Sequence, residues 1–129
     1  MVVTNLNDRG AGSLRAAITS ANAAASDDMI TFSVDGTITL ASALPDLANS
    51  GTLTITGNGV ANTLISGNNS VRVFTVASGA NVTLNTLTLT DGSADDGKDD
   101  INSANDSGGG ILNIGSTVTL TNSIVSIID

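Results

Sequence analysis

Short segments in which apolar and hydroxyl residues alternate recur along the chain. They lie at positions 36–40, 51–55, 80–84 and 116–120. A period of two predicts strands with one buried face. Superposing the segments gives two apolar columns, Ile38/Leu53/Val82/Val118 and Leu40/Ile55/Leu84/Leu120, beside outward columns of Thr and Asn. Matched columns in repeated strands are typical of a solenoid, in which each repeat packs on the previous one.

A different period precedes these strands. Leu14, Ala17, Ile18 and Ala21 lie at i, i+3, i+4 and i+7, directly after Ser13. This spacing predicts an amphipathic helix with Ser13 as its N-cap. We expect the helix to cover the open end of the strand stack, because a terminal repeat otherwise exposes core and unpaired strand edge.

The last two repeats show the proposed architecture best. Segments 73–76, 82–84 and 87–89 recur as 111–114, 118–120 and 123–125. Three strands per repeat predict an all-β right-handed parallel β-helix of about three to four turns with an N-terminal capping helix. Residues 1–129 are expected to form a single domain, in which 1–28 form the cap, 29–90 and 110–129 the coil, and 91–109 an acidic loop insertion.

Composition limits the kinds of site and partner that the chain can have. The chain has no Cys and no His, so thiolate metal sites, disulfides and the usual general base are excluded. Its net charge of −8, with twelve Asp and no Glu, argues against nucleic acid and anionic membranes as partners. We expect no membrane insertion, because no apolar run approaches the length of a membrane span.

The acidic insertion offers a candidate cation site. Asp95, Asp96, Asp99 and Asp100 lie close together, and hard cations such as Ca²⁺ prefer several carboxylate oxygens. The spacing does not fit the twelve-residue calcium loop, because Asp96 stands where that loop has Gly and Asn102 where it has Glu. A solvated loop that keeps the protein in solution is the alternative, and the expectation is that the chain has no cofactor.

The outward threonines offer a candidate binding surface. It comprises Thr37, Thr39, Thr52, Thr54, Thr83, Thr117 and Thr119, with Asn81 interrupting one column. Such a ladder on a β-solenoid resembles the ice-binding surface of insect-type antifreeze proteins, and a glycan is another ligand to consider. The alternative is that Thr fills exposed strand positions because β-branching suits them.

Enzymatic activity is not expected. Polysaccharide lyases on β-helices need clustered carboxylates and a basic residue on one strand face. Arg72 lies beside a strand with no repeated carboxylate near it, and Arg15 belongs to the predicted helix. A lyase is therefore the least favoured of the functions considered.

The start of the chain resembles a known family. Residues 3–8 (VTNLND) and 12–18 (GSLRAAI) are similar to the N-terminal cap of bacterial secreted and surface β-helix proteins, the CSLREA-type and polymorphic outer-membrane-protein group with a pectate-lyase-like fold. Ala16 stands where the family has Glu, so a cap salt bridge made by that Glu is missing. Later segments of this chain are also similar, at 28–32, 64–68, 72–76 and 108–111.

The resemblance implies a structural, adhesin-like role at the cell surface or in the extracellular medium, with a glycan or protein ligand. The family pattern would continue into another turn after Asp129, so the chain is expected to be the N-terminal part of a longer coil. No capping helix is predicted beside the last strands, and residues 117–128 carry no charge and no Pro. We therefore expect self-association through the C-terminal turn.

Overall fold

The computed structural model describes residues 1–24, 26–93, 110–113 and 115–126. Its described elements are one helix, α1, and eleven short strands, β1 to β11. In chain order they are β1 (Val2–Val3), α1 (Leu14–Ala23), β2 (Asp28–Phe32), β3 (Gly36–Thr39), β4 (Thr52–Thr56), β5 (Thr63–Ser66), β6 (Phe74–Val76), β7 (Asn81–Asn85), β8 (Thr88–Thr90), β9 (Ile111–Asn113), β10 (Thr117–Thr121) and β11 (Ile124–Ser126).

The described strands pair in parallel throughout and belong to three sheets. The strand orders are β1-β2-β4-β7-β10, β11-β8-β5-β3 and β6-β9. From β2 onward, successive strands of one sheet are separated along the chain by strands of the others, so each of these connections crosses between sheets. The inner side chains, among them Leu53, Ile55, Val82 and Leu84, form one apolar core with those of the other sheets.

The predicted right-handed parallel β-helix is therefore corrected. The structure is a mixed arrangement of several short parallel sheets of unequal size with a helix beside them, and it contains no closed coil among the described residues. The predicted columns are also wrong at their first member. Strand β3 lies in the four-stranded sheet, where Ile38 pairs with Ile65, while the partners of β4 are β2 and β7.

The physical reason lies between Thr39 and Thr52, where the prediction needed a further strand. There the chain makes only an isolated bridge, between Leu47 and Val76. Several of its other backbone groups are hydrogen-bonded to side chains, among them that of Asn22 in α1. Asn22 Nδ2 donates to the Asp46 carbonyl at 2.7 Å, and the Ala48 N–H donates to Asn22 Oδ1 at 3.0 Å. Side-chain partners thus replace a neighbouring strand.

Helix α1 agrees with its prediction. Ser13 is the N-cap, its Oγ accepts a hydrogen bond from the Ala16 N–H at 3.2 Å, and Leu14, Ala17, Ile18 and Ala21 are buried. The helix packs beside β1 and β2, at one end of the five-stranded sheet. Its C-terminal end is tied down by the buried Asn49, whose Nδ2 donates to the Ala21 carbonyl at 2.8 Å.

The correspondence predicted between the last two repeats agrees with the pairing for two of its three segments, in which Val82 pairs with Val118 and Leu89 with Val125. The remaining segment is shifted by one residue, because Phe74 pairs with Ile111 and not with Leu112. Strand β10 is in register with β7 over all five of its residues. These pairings leave β9, β10 and β11 at the edges of the three sheets.

Candidate functional site

The five-stranded sheet carries a regular array of polar side chains on its outer face. Its rows come from β4, β7 and β10, because residues at alternate positions of these in-register strands point to the same face. The nine members are Thr52, Thr54, Thr56, Asn81, Thr83, Asn85, Thr117, Thr119 and Thr121, here called the Thr/Asn array. All nine are exposed or half-buried, while Leu53, Ile55, Val82 and Leu84 between them are buried.

The spacing of the array follows from strand geometry. Neighbouring strands of a sheet lie about 4.7–4.9 Å apart, and alternate residues of a parallel strand repeat every ~6.6 Å. Each member is Thr or Asn, so the surface carries no charge although the chain has a net charge of −8. Within the part of the chain that the structure describes, the seven threonine hydroxyls of the array make no hydrogen bond to other protein groups.

Two threonines assigned to this surface from the sequence lie elsewhere. Thr37 and Thr39 are exposed on β3, in the four-stranded sheet, where they pair with Leu64 and Ser66. Their prediction as part of the same ladder is wrong, because alternation alone does not say in which sheet a strand lies. Thr52, Thr54, Thr83, Thr117 and Thr119 do come together, in register.

The outer face of the four-stranded sheet differs from the array in its surroundings. Thr88 is buried and its Oγ1 donates to the Val60 carbonyl at 2.8 Å. Ser66 is also buried, and its Oγ lies 3.3 Å from Asp91 Oδ2. Thr88 and Ser66 therefore use their hydroxyls in contacts within the protein, although Thr37 and Thr39 on the same face are exposed.

The sequence analysis missed the third column of the array, Thr56/Asn85/Thr121. It is in register with the other two and equally uncharged. The signal was present, since each of these residues continues the alternation by one step. The predicted repeats end one residue earlier, at their second apolar position, and therefore do not include it.

A second polar cluster joins the N-terminal loop to α1. Arg15 Nη2 donates to Asp8 Oδ1 at 2.9 Å, and its Nε donates to the Asp8 carbonyl at 3.0 Å. Two further N–H groups of Arg15 donate to the Ser42 and Ala43 carbonyls at 2.8 and 2.5 Å. Asp8 Oδ1 also accepts from the Ala41 N–H at 3.0 Å. This Arg15–Asp8 clamp fastens α1 to two loops.

The pKa of Asp8 reflects both sides of this environment. Burial of the carboxyl raises the pKa, but hydrogen bonds from the Ala41 N–H and from Arg15, together with the positive charge of Arg15, outweigh it. The net result holds the pKa of Asp8 below its usual value. The clamp is thus an ion pair between partly buried groups, and its contacts with backbone carbonyls are structural.

The predicted calcium ligands Asp95, Asp96, Asp99 and Asp100 lie outside the described residues. Among the residues that the structure does describe, no three acidic side chains come close enough to hold a metal ion. Over the same residues, no helix is both long and apolar enough to cross a membrane.

Comparisons of the chain with protein-family models, with curated proteins and with solved structures give no match.

Proposed function

We propose that the chain is a structural, adhesin-like segment of a bacterial surface or secreted protein, and that a second copy of it binds at β9, β10 and β11. The observation that carries the proposal is the register of β4, β7 and β10. These strands come from separate parts of the chain and pair residue for residue, with Leu53, Val82 and Val118 in one inner row. Strands that share one register and one apolar inner row hold their sheet in a single arrangement, as a structural support requires.

The two ends of this arrangement differ. At one end α1 packs beside β1 and β2 and is held by the Arg15–Asp8 clamp. At the other end Leu120, Ile124 and Val125 are 47%, 48% and 38% exposed. Apolar side chains at a sheet edge, next to unpaired backbone groups, favour association with another strand.

Strand β10 offers unpaired backbone groups on its open side. The Thr117 N–H donates to the Ala80 carbonyl, and the Thr121 carbonyl accepts from the Thr86 N–H, so odd-numbered residues of β10 face β7. Backbone groups of Val118 and Leu120 therefore face away from β7, because polar groups alternate sides along a strand. In the sheet order of the described strands, nothing pairs with β10 on that side.

Charge supports a second copy as the occupant. A chain with a net charge of −8 repels its own copies over most approaches. The segment 111–126 contains no charged residue, so two copies can meet here without bringing like charges into contact. Contact through the same patch on both copies would form a closed dimer.

A cysteine cross-linking experiment tests the proposal. The natural chain has no Cys, so Val125→Cys introduces a single thiol at the proposed interface. Val60→Cys is the matched control, because Val60 is 37% exposed and Val125 38%. Mild oxidation should give a disulfide-linked dimer of Val125→Cys and leave Val60→Cys mainly monomeric. Equal dimer formation by the two variants would contradict the proposal.

The proposed location has a separate test. External protease added to intact cells of the organism that makes the protein should release peptides of this chain before lysis. Peptides that appear only after lysis would contradict a surface or secreted location. A glycan array then separates a support from a glycan-binding adhesin, since a support alone gives no specific signal.

A further inference from the structure

We propose that the Thr/Asn array binds the surface of ice. This inference does not rest on the structural role or on the proposed dimer. It uses the outward side chains of β4, β7 and β10, whereas the dimer uses the unpaired backbone groups of β10 and the exposed apolar residues beside them. It begins from three properties of the array: two-dimensional regularity, absence of charge, and threonine hydroxyls that have no hydrogen-bond partner among the described residues.

The array is regular in two directions, along its strands and across them. Single threonines bind water or a ligand weakly, since one hydroxyl forms hydrogen bonds about as well with bulk water. Nine side chains fixed by backbone register can engage a ligand together only if that ligand repeats with the same two spacings, about 4.7–4.9 and ~6.6 Å. A crystalline surface meets this condition, and the repeating unit of ice is a water molecule that donates and accepts hydrogen bonds, as a threonine hydroxyl does.

The chemistry of the threonine side chains also supports ice as the ligand. Each threonine presents a methyl group and a hydroxyl, and β-branching restricts its rotamers, so little conformational freedom is lost on binding. The hydroxyl can donate and accept a hydrogen bond, as a lattice water does. The methyl group orders water around it without competing for hydrogen bonds. Charged groups would hold water in another arrangement, and the array has none.

The sequence argues against a polysaccharide as the ligand. Sugar rings bind well on the faces of aromatic side chains, which supply large rigid contact areas. The chain has no Trp and no Tyr, and both of its Phe residues, Phe32 and Phe74, are buried. The array therefore lacks the groups that would hold a glycan chain and keeps those that would match a water lattice.

The test is ice-affinity partitioning, together with thermal hysteresis, of the whole chain. Thr119→Arg places a charge in the array on the edge strand β10. Thr37→Arg is the matched control, because Thr37 is also an exposed strand threonine on an edge strand, β3, outside the array. The wild type and Thr37→Arg should enter slowly growing ice and show hysteresis, while Thr119→Arg should lose both.

Milder variants separate a binding effect from a folding effect. Thr83 lies at the centre of the array, and Thr83→Val and Thr83→Ser remove its hydroxyl and its methyl group respectively. Both should reduce hysteresis with unchanged far-UV circular dichroism. Exclusion of the wild-type chain from ice would overturn the proposal. So would equal behaviour of Thr119→Arg and Thr37→Arg, or binding of the wild type to powdered cellulose in place of ice.

Discussion

Arg15 Nη2 lies 2.9 Å from Asp8 Oδ1, and the same guanidinium donates to the carbonyls of Ser42 and Ala43. The side chains of Arg15 and Asp8 are only 19% and 15% exposed. The pair therefore connects the N-terminal loop and α1, which are close in sequence, to the segment after β3, which is distant.

Replacing Arg15 should destabilise the protein. Arg15→Ala removes one donor of the Asp8 carboxylate and the Arg15 hydrogen bonds to three carbonyls, and an unsatisfied buried group costs about 1–3 kcal/mol. Arg15→Lys should lie between wild type and Arg15→Ala, since an ammonium group cannot reproduce the planar fork. Arg9→Ala is the control, because Arg9 is 73% exposed and its pair with Asp8 is longer, at 3.4 Å. Urea unfolding of the three variants measures the effect.

The lowered pKa of Asp8 predicts the direction of a pH effect. The folded protein holds the proton less tightly than the unfolded chain does, so Asp8 contributes stability above its unfolded pKa of 3.8. That contribution should be lost as pH falls through the lower folded pKa. Melting curves between pH 6 and roughly pH 2 should show the loss in wild type and a smaller one in Asp8→Asn. Equal acid sensitivity of the two proteins would contradict it.

Ile18 should be the most sensitive position of α1. Its side chain is fully buried, and removing such a side chain costs about 2–5 kcal/mol in a well-packed core. Ile18→Ala should therefore unfold at markedly lower urea concentration, and Ile18→Asp should aggregate. Ser20→Ala, on the exposed side of the helix, should be neutral or slightly stabilising. A wild-type midpoint for Ile18→Ala would show that α1 does not stabilise the sheets.

Thr86 offers a stabilising substitution. It has φ of 61°, in the left-handed region, although β-branched residues rarely adopt it. The corresponding residue of the next repeat, Asn122, has φ of 50° and is of a type that tolerates this conformation. Thr86→Asn should therefore raise the unfolding free energy by about 0.5–1 kcal/mol, a part of the roughly 1–2 kcal/mol that the conformation costs. A lower melting temperature would contradict this interpretation.

Gly57 lies against the backbone of Thr86, so a substitution at Gly57 provides a second test of this turn. A Cβ at Gly57 would lie 2.5 Å from the Thr86 carbonyl oxygen and 2.9 Å from Leu87 Cβ. The backbone cannot move away without disturbing the register of β4 with β7. Gly57→Ala should therefore destabilise, while Gly79→Ala should be milder, since nothing lies within 4 Å of its added Cβ and only its φ of 84° opposes the change. Thermal melting of the two variants provides the comparison.

Local features could be predicted from the sequence because they depend on neighbouring residues. The cap at Ser13, the buried stripe from Leu14 to Ala21 and the equivalence of Val82 with Val118 all follow from short-range periodicity. The arrangement of the sheets could not be predicted in this way. Ile38 and Leu53 sit in identical patterns but in different sheets, and their placement depends on long-range contacts.

The candidate sites show the same limit. Two outer columns of the array could be predicted from the sequence. That Thr37 and Thr54 lie in different sheets could not. The partner of Arg15 was also hidden, because Asp8 and the Ser42 carbonyl reach it only after the loops have folded. Side-chain periodicity identifies the face of the strand on which a residue lies. Tertiary contacts decide to which sheet that strand belongs and which partner a side chain such as Arg15 finds.

Sedimentation velocity over a range of protein concentrations provides the most direct test of the proposed dimer. Wild type should associate as concentration rises, through the edges of β9, β10 and β11. Val125→Lys should remain monomeric, because a buried ammonium at the interface would lose its hydration, and Val60→Lys should associate as wild type does. A wild-type monomer at every concentration, or unchanged association of Val125→Lys, would contradict the proposed dimer.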